Sequence, residues 1–458
     1  MRIKLDTPLL LGEIVRFTRG ISEIRELSLP ITHIVTRSTL VERGDLFIPL
    51  RGKNYNGSDF IDEAINKGGI VISERNSECG VLVKNTELAL LNIANGYKSK
   101  LKALKHTVAI TGSVGKSTTK EFIRAIANVK FITHANEGNY NNTVGVPTTI
   151  LKAKADTELL VLEAGMNSQG ELALISRASE PDIAVITNIG TAHIGNLGSR
   201  ESIASAKKEI LLGMTGGTVI VPHEEELLRS VEKRLTVSLN DKNADLYLKI
   251  LSLDAEGSYA EVFKNGKKRF DFMLAIPGRH TLSCLVCAIA ACEAVGLNDD
   301  ELKNGIESLS YKNTRQKYIH FKDFSIYDDS YNSSPEAVRA AFELLSLDEK
   351  SPKSALLGDM LELGRDTEAL HFEIGALAAK YGMRKLYLFG VYAPFVMQGA
   401  LSAGMSKSDI LINTDTTCAE ITAKQILKNR KKGETILFKA SHALNLSRIY
   451  EHIKLLEG

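Results

Sequence analysis

The amino-acid sequence predicts an α/β protein of three domains: a small N-terminal α/β domain, a central P-loop domain on a mostly parallel sheet, and a C-terminal Rossmann-like domain. Three observations lead there. The chain has 458 residues, roughly two to three times the size that a single hydrophobic core organises. Short apolar runs alternate with amphipathic helical stretches along most of it, the pattern of strands joined by crossover helices. One strand-to-helix junction is the glycine loop Gly112-Ser113-Val114-Gly115-Lys116-Ser117.

Taken in order, residues 1–83 form the first domain, with β-rich runs at 31–35, 45–50, 69–73 and 80–83 separated by turn residues such as Asn54-Tyr55-Asn56-Gly57. The second spans 84–313. It opens on a helical pattern from 86 to about 104 and continues as apolar strands alternating with helices. The third, 314–458, has strand candidates at 324–327, 355–357, 386–389, 410–412 and 435–438. No Gly-x-Gly-x-x-Gly follows any of them, so a doubly wound unit is expected there without dinucleotide chemistry. Repeats of solenoid length and low-complexity tracts are absent.

Composition narrows the function classes. At 44% hydrophobic and 24% charged residues, with 10 prolines, the chain reads as an ordinary globular protein. A net charge of +2 with dispersed Lys and Arg offers no field for nucleic-acid binding. No apolar run reaches the roughly 18 to 20 residues of a membrane span, so membrane insertion is not expected. Met1-Arg2-Ile3-Lys4-Leu5-Asp6 lacks the apolar core of a signal peptide, and the expected compartment is the cytoplasm. The five cysteines, an odd number, agree. Cys284, Cys287 and Cys292 share one Ala-rich helical stretch in which His280 is the nearest further ligand. Buried thiols in a helix core fit that stretch better than a zinc site.

The chemistry is concentrated in the second domain. His106-Thr107-Val108-Ala109-Ile110-Thr111 reads as a buried strand running into the glycine loop, and a helix with Phe122, Ile126 and Val129 on one face follows. Glycines let backbone N–H groups approach phosphate oxygens, and the helix N-terminus faces the anion. Lys116 suits the outer phosphates of ATP, and the Ser117 hydroxyl suits Mg²⁺. A tight turn with an incidental lysine is the plainer alternative, and the loop is shorter than the common form with four residues between its glycines. Two further strand candidates, 158–162 and 183–189, lead to Glu163 and His193. Ligands of an open parallel sheet gather at the carboxyl ends of its strands, which brings Lys116, Glu163 and His193 to one crevice. Alone, Glu163 is equally a strand-end polar residue and His193 a capping residue. Their shared placement makes them candidate catalytic groups, with Glu163 the better oxygen ligand for Mg²⁺.

Several segments resemble the Mur ligase family in the family's own order. They are Thr111-Gly112-Ser113-Val114-Gly115-Lys116-Ser117-Thr118-Thr119-Lys120-Glu121, Asn139-Tyr140-Asn141-Asn142-Thr143-Val144-Gly145-Val146-Pro147, Asn188-Ile189-Gly190-Thr191-Ala192-His193, and Gly198-Ser199 through Ala206-Lys207-Lys208-Glu209-Ile210. Asp328-Asp329-Ser330-Tyr331-Asn332-Ser333-Ser334-Pro335 and Leu357-Gly358-Asp359-Met360-Leu361-Glu362-Leu363-Gly364 follow. The resemblance is strongest to the branch that joins D-alanyl-D-alanine to a UDP-linked muramoyl tripeptide. It implies an ATP- and Mg²⁺-dependent ligase that activates a carboxylate as an acyl phosphate, works as a monomer and serves peptidoglycan synthesis. It also implies roles: Gly112, Ser113, Val114, Gly115, Lys116, Ser117, Thr118, Asn142, Arg315 and Asp329 for ATP; Ser117, Glu163, His193 and a carbamylated Lys207 for metal; Ser38, Asn139 and Lys439 for substrate. Lys116, Glu163, His193 and Lys207 form the implied catalytic set. By itself, Lys207 would read as a solvated helix residue.

The match departs from the family in substrate and base recognition. Thr36-Arg37-Ser38-Thr39 stands where the family has Asp-Ser-Arg, and Ser58 replaces a histidine. Thr281 and Cys284 replace two asparagines, and Lys439-Ala440-Ser441-His442 replaces Lys-Gly-Ser-Arg. A paralogous Mur-type ligase acting on another carboxylate and amine is therefore the first alternative. A non-enzymatic P-loop nucleotide switch is the second, weakened by the lack of an Asn-Lys-x-Asp sequence.

Overall fold

The computed structural model describes residues 1–52, 54–75, 79–192, 194–310 and 316–457. It contains three sheets. The first has six strands, in the order Arg2–Leu10, Pro30–Val35, Leu46–Phe47, Ile70–Ser73, Gly80–Leu82, Ile21–Ser22. Its edge strand Arg2–Leu10 is absent from the sequence-based expectation, although Ile3, Leu5 and Leu9 alternate inward and are buried to 1%, 2% and 0% exposure. It pairs antiparallel with Pro30–Val35. The expected run 45–50 contributes only the two-residue strand Leu46–Phe47.

The central sheet has nine strands, in the order Lys267–Leu274, Ser258–Lys264, Leu246–Leu253, Arg234–Ser238, Thr218–Pro222, Ile183–Ile186, His106–Thr111, Leu159–Glu163, Thr133–Ala135. Alternation along its inner strands feeds two cores. Leu160, Leu162, Ala184 and Ile186 face one, and Val108, Ile110, Leu159, Val161 and Val185 face the other. The first of these cores continues into the N-terminal sheet through helix Thr86–Lys98, which packs against helices Leu11–Thr18, Gly145–Lys152 and Glu171–Ser179. That helix stops at Lys98, short of the expected 104.

The sheet is mostly parallel, as expected, and its last three strands form an antiparallel meander. Asn265-Gly266, both with positive φ (48° and 76°), makes the second hairpin turn. Such a dipeptide between β-prone runs is a local hairpin signal.

The third sheet runs Lys317–His320, Phe324–Asp328, Glu434–Lys439, Lys353–Gly358, Lys385–Phe389, Ile410–Asn413. It is parallel except for its first strand and has an apolar core on each face. The expected boundary at 313 falls outside the described residues. Among those described, no helix is long and apolar enough to cross a membrane.

Candidate active site

Strand alternation places Glu163 under the phosphate loop. Two residues after Val161, it faces the same side as helix Lys116–Ala127, whose Phe122, Ile123 and Ile126 share that core. Ser117 in the first turn of the helix donates its hydroxyl to Glu163 Oε2 at 2.6 Å. Asn141 Nδ2 donates to the other carboxylate oxygen at 2.8 Å. Glu163 is 1% exposed, and its backbone is fixed as well: Asn136 accepts from its N–H and donates to its C=O, both at 2.8 Å. Lys120, itself buried, donates to the Asn136 carbonyl at 2.5 Å.

The loop is held from its other side by the strand-end segment after Ile183–Ile186. Asn188 Oδ1 accepts from the N–H groups of Ser113 and Val114 at 3.0 Å each, and Thr187 Oγ1 donates to the Val114 carbonyl at 2.6 Å. Two glycines make this closeness possible. Gly112 has φ 148°, and a Cβ there would lie 1.9 Å from Thr187 Oγ1; Gly115, at φ 83°, caps the helix and would meet Cys284 Sγ at 2.9 Å. Lys116 curls back to donate to the Gly112 and Ser113 carbonyls at 2.7 and 3.2 Å.

These details fit a nucleotide triphosphate with a divalent cation. A helix capped by glycine has no side chain to accept its first-turn N–H groups, which leaves Lys116 through Thr118 oriented toward an anion. The Ser117 hydroxyl and Glu163 carboxylate, already 2.6 Å apart, supply hard oxygens of the kind Mg²⁺ takes. Gly112→Ala should therefore lose nucleotide binding and destabilise the fold by about 1–3 kcal/mol from backbone strain alone. Thermal melts with and without ATP check both effects.

Lys207 lies on helix Arg200–Lys208 and is 2% exposed. Burial first, then the charge of Lys116, holds its ammonium well below the usual lysine range. In the third domain Lys439, also buried, donates to the Asp329 and Asn332 carbonyls at 2.9 and 2.6 Å and pairs with the Asp329 carboxylate at 3.0 Å. His280, at the start of helix Arg279–Ala294, senses both Asp329 and Lys439, while burial lowers its pKa. Helix Arg279–Ala294 packs against helix Pro335–Ser346 of the C-terminal domain.

Other expected residues are engaged differently. Asn142 Oδ1 accepts from Val144 and Gly145 N–H at 3.1 and 2.8 Å, a local turn that leads into helix Gly145–Lys152. Asn139 is exposed. Ser38 is buried on a short 3₁₀ helix, and its carbonyl accepts from Lys67 Nζ at 3.0 Å. His193 and Arg315 lie outside the described residues. Thr281 donates to the Pro277 carbonyl at 3.0 Å, and His442 rests edge-on to Tyr331 with ring centroids 5.5 Å apart. The three clustered cysteines are free and buried in the helix core; burial pushes the Cys284 thiol up to about 11 and the other two further. Among the described residues, no group of three or more His, Cys, Asp or Glu side chains gathers there to hold a metal.

Three family models match the chain in sequence: "Mur ligase family, catalytic domain" over residues 30–95, "Mur ligase middle domain" over 110–292, and "Mur ligase, glutamate ligase domain" over 314–442. The UDP-N-acetylmuramoyl-tripeptide–D-alanyl-D-alanine ligase of Bacillus subtilis (strain 168) is 33% identical over 439 residues, covering 92% of each chain. The chain belongs to the Mur ligase family. A crystal structure of MurF from Acinetobacter baumannii superposes with a TM-score of 0.87 at 25% identity, over 98% of this chain and 99% of that one. MurF ligase from Thermotoga maritima in complex with ADP gives 0.80 at 29% identity, over 92% and 97%.

Within this Mur ligase, sequence reasoning passed over Asn136, Asn141 and Asn188. All three bind backbone or carboxylate groups distant in sequence. Asn141 and Asn188 stand inside the family-like segments 139–147 and 188–193. Nothing local distinguishes an Asn that orients Glu163 from one that caps a turn.

Proposed function

We propose that this Mur ligase uses ATP to phosphorylate the terminal carboxylate of a UDP-linked muramoyl tripeptide, and that the amine of D-alanyl-D-alanine displaces phosphate from the acyl phosphate to form a peptide bond. The observation that carries the site assignment is the Ser117–Glu163 pair at the phosphate loop, with the buried amine of Lys207 near Lys116. Lys116 balances charge on the transferring phosphoryl group, an effect worth about 3–4 kcal/mol of barrier. Ser117 and Glu163 hold Mg²⁺, which supplies Lewis-acid stabilisation of the phosphate oxygens when bound. In this reading His193 and a carbamylated Lys207 hold a second Mg²⁺, and Thr118, Asn142, Arg315 and Asp329 complete the ATP site. Ser38, Asn139 and Lys439 face the substrates. Closure of the C-terminal domain onto the central domain would keep water from the acyl phosphate.

The domains 1–83, 84–313 and 314–458 divide the work into UDP-substrate binding, ATP binding and closure. The enzyme works as a monomer in the cytoplasm. A nucleotide switch would also use Ser117 and Glu163 for Mg²⁺, but it has no use for a buried Lys207 amine near Lys116, and the family membership supports a ligase.

ADP release measured with both substrates together, and with each omitted, tests the reaction. Release that needs both, with a product heavier than the tripeptide substrate by one D-alanyl-D-alanine less water, is the expected result. The absence of a peptide-bond product would reject this substrate pair and return a paralogous amide ligase to first place.

A further inference from the structure

The C-terminal domain grips the segment after strand Ile183–Ile186 at two points. Glu336, near the start of helix Pro335–Ser346, accepts through Oε1 from the Thr191 backbone N–H at 2.8 Å and from the Thr191 hydroxyl at 2.9 Å. Its Oε2 is buried and has no hydrogen-bond partner among the described residues. Further along, the Gly195 N–H donates to the Glu362 carbonyl at 3.0 Å. A Cβ on Gly195 would come within 2.6 Å of the Gly364 nitrogen, so the backbones meet directly.

The same segment is tied to the phosphate loop. Gly190 donates its N–H to Ser113 Oγ at 2.8 Å. A Cβ on Gly190 would stand 2.9 Å from Glu336 Oε1 and 3.2 Å from Ser113 Cβ. Ser113, Gly190, Thr191 and Glu336 are therefore a continuous series of contacts from the phosphate loop to a helix of the C-terminal domain.

We propose that Glu336 is a positioning residue that transmits docking of the C-terminal domain to the phosphate loop, through Thr191 and the Gly190–Ser113 hydrogen bond. The carboxylate has a plainer use as an acidic residue in the first turn of its own helix, where the dipole favours it. That use explains neither the two donors on one oxygen nor the glycine that admits it. Because only Oε1 is engaged, a glutamine, which keeps a carbonyl oxygen there, can preserve the contact, whereas alanine cannot. The consequence for turnover rests on the proposed ligase reaction; the consequence for the segment does not.

The test uses the full-length enzyme with Glu336→Ala, Glu336→Gln, Thr191→Val and the Glu336→Ala/Thr191→Val pair. Hydrogen exchange is followed in peptides covering 188–197, with and without ATP, beside kcat and KM for ATP. Glu336→Ala should speed exchange in that segment and lower kcat/KM for ATP, each by roughly tenfold or more, as expected on losing an acceptor shared by two donors. Glu336→Gln should restore both to near the parent. The double variant should lose little beyond Glu336→Ala, because both substitutions break the same contact. Unchanged exchange in 188–197 for Glu336→Ala, glutamine as impaired as alanine, or additive losses would each overturn the proposal. If Glu336→Ala does not fold, Glu336→Asp, whose shorter side chain draws the acceptor away from both Thr191 donors, decides: faster exchange supports the contact and parental exchange overturns it. An altered segment in an enzyme that forms no peptide product would leave this coupling standing and reject the ligase reading instead.

Discussion

Lys116→Ala should lower kcat for ADP release by on the order of 10³-fold, with the fold intact. The side chain is held at the mouth of the loop by the Gly112 and Ser113 carbonyls, at 2.7 and 3.2 Å. These acceptors orient the ammonium without neutralising it. The substitution also removes one of the two causes that depress the Lys207 amine. The damage therefore extends beyond phosphate contact to the second candidate metal ligand. Glu163→Ala should be as inactive and less stable, because Ser117 and Asn141 would each lose a buried acceptor at about 1–3 kcal/mol apiece. Glu163→Gln separates the two effects: it retains hydrogen-bonding capacity for packing but lacks the charge a cation needs. Steady-state ADP release and circular dichroism on the three variants decide the matter. Near-normal turnover in any of them removes that residue from the site.

Lys207→Ala should be inactive and regain activity with a short-chain carboxylic acid, and the parent enzyme should lose activity when CO₂ is stripped from the buffer. Carbamate formation needs a neutral amine: nitrogen attacks the carbon of CO₂, an N–C bond forms, and one proton leaves. At 2% exposure, and near the charge of Lys116, Lys207 is neutral at lower pH than a free lysine. The resulting anion is then stabilised by that same charge. The sign for stability follows. Between the depressed folded value and 10.5, the unfolded chain binds a proton that the folded chain does not, so stability rises with pH across that window. Below it the full penalty of burying an ammonium is present. Lys207→Met should therefore abolish activity yet stabilise the CO₂-free protein by on the order of 1–3 kcal/mol, read as a higher Tm. Activity that ignores CO₂ and is not rescued by a carboxylic acid would take the carbamate out of the mechanism.

Much of the candidate site is written in local sequence. A strand, a glycine loop and a helix in succession fix where a phosphate would sit, because φ values of 148° and 83° at Gly112 and Gly115 are open to glycine at little cost. The end of an apolar run likewise marks Glu163, since period-two alternation decides which face it takes. The parallel sheets follow from the alternation of strands and helices. The strand Arg2–Leu10 and the Asn265-Gly266 hairpin had legible signals too, in inward alternation and turn chemistry, although the strand-by-strand expectation did not include them.

Other features depend on partners far along the chain. Asn136 braces Glu163 across 27 residues, Asn188 braces the loop across 75, and Glu336 reaches Thr191 across 145. An amide or carboxylate has the same local preferences whether it caps a turn or orders a site, so its neighbours in sequence carry no sign of the difference. Lys207 makes the point most sharply. Its sequence surroundings, Ala204-Ser205-Ala206-Lys207-Lys208-Glu209, describe a solvated helix, and only the packing of the central domain buries that amine beside a second lysine. The sequence by itself determined the phosphate loop and the strand ends that face it, because those rest on backbone conformation and periodicity. The tertiary structure alone decided which polar groups are desolvated and paired, because desolvation is set by atoms that the chain brings together only on folding.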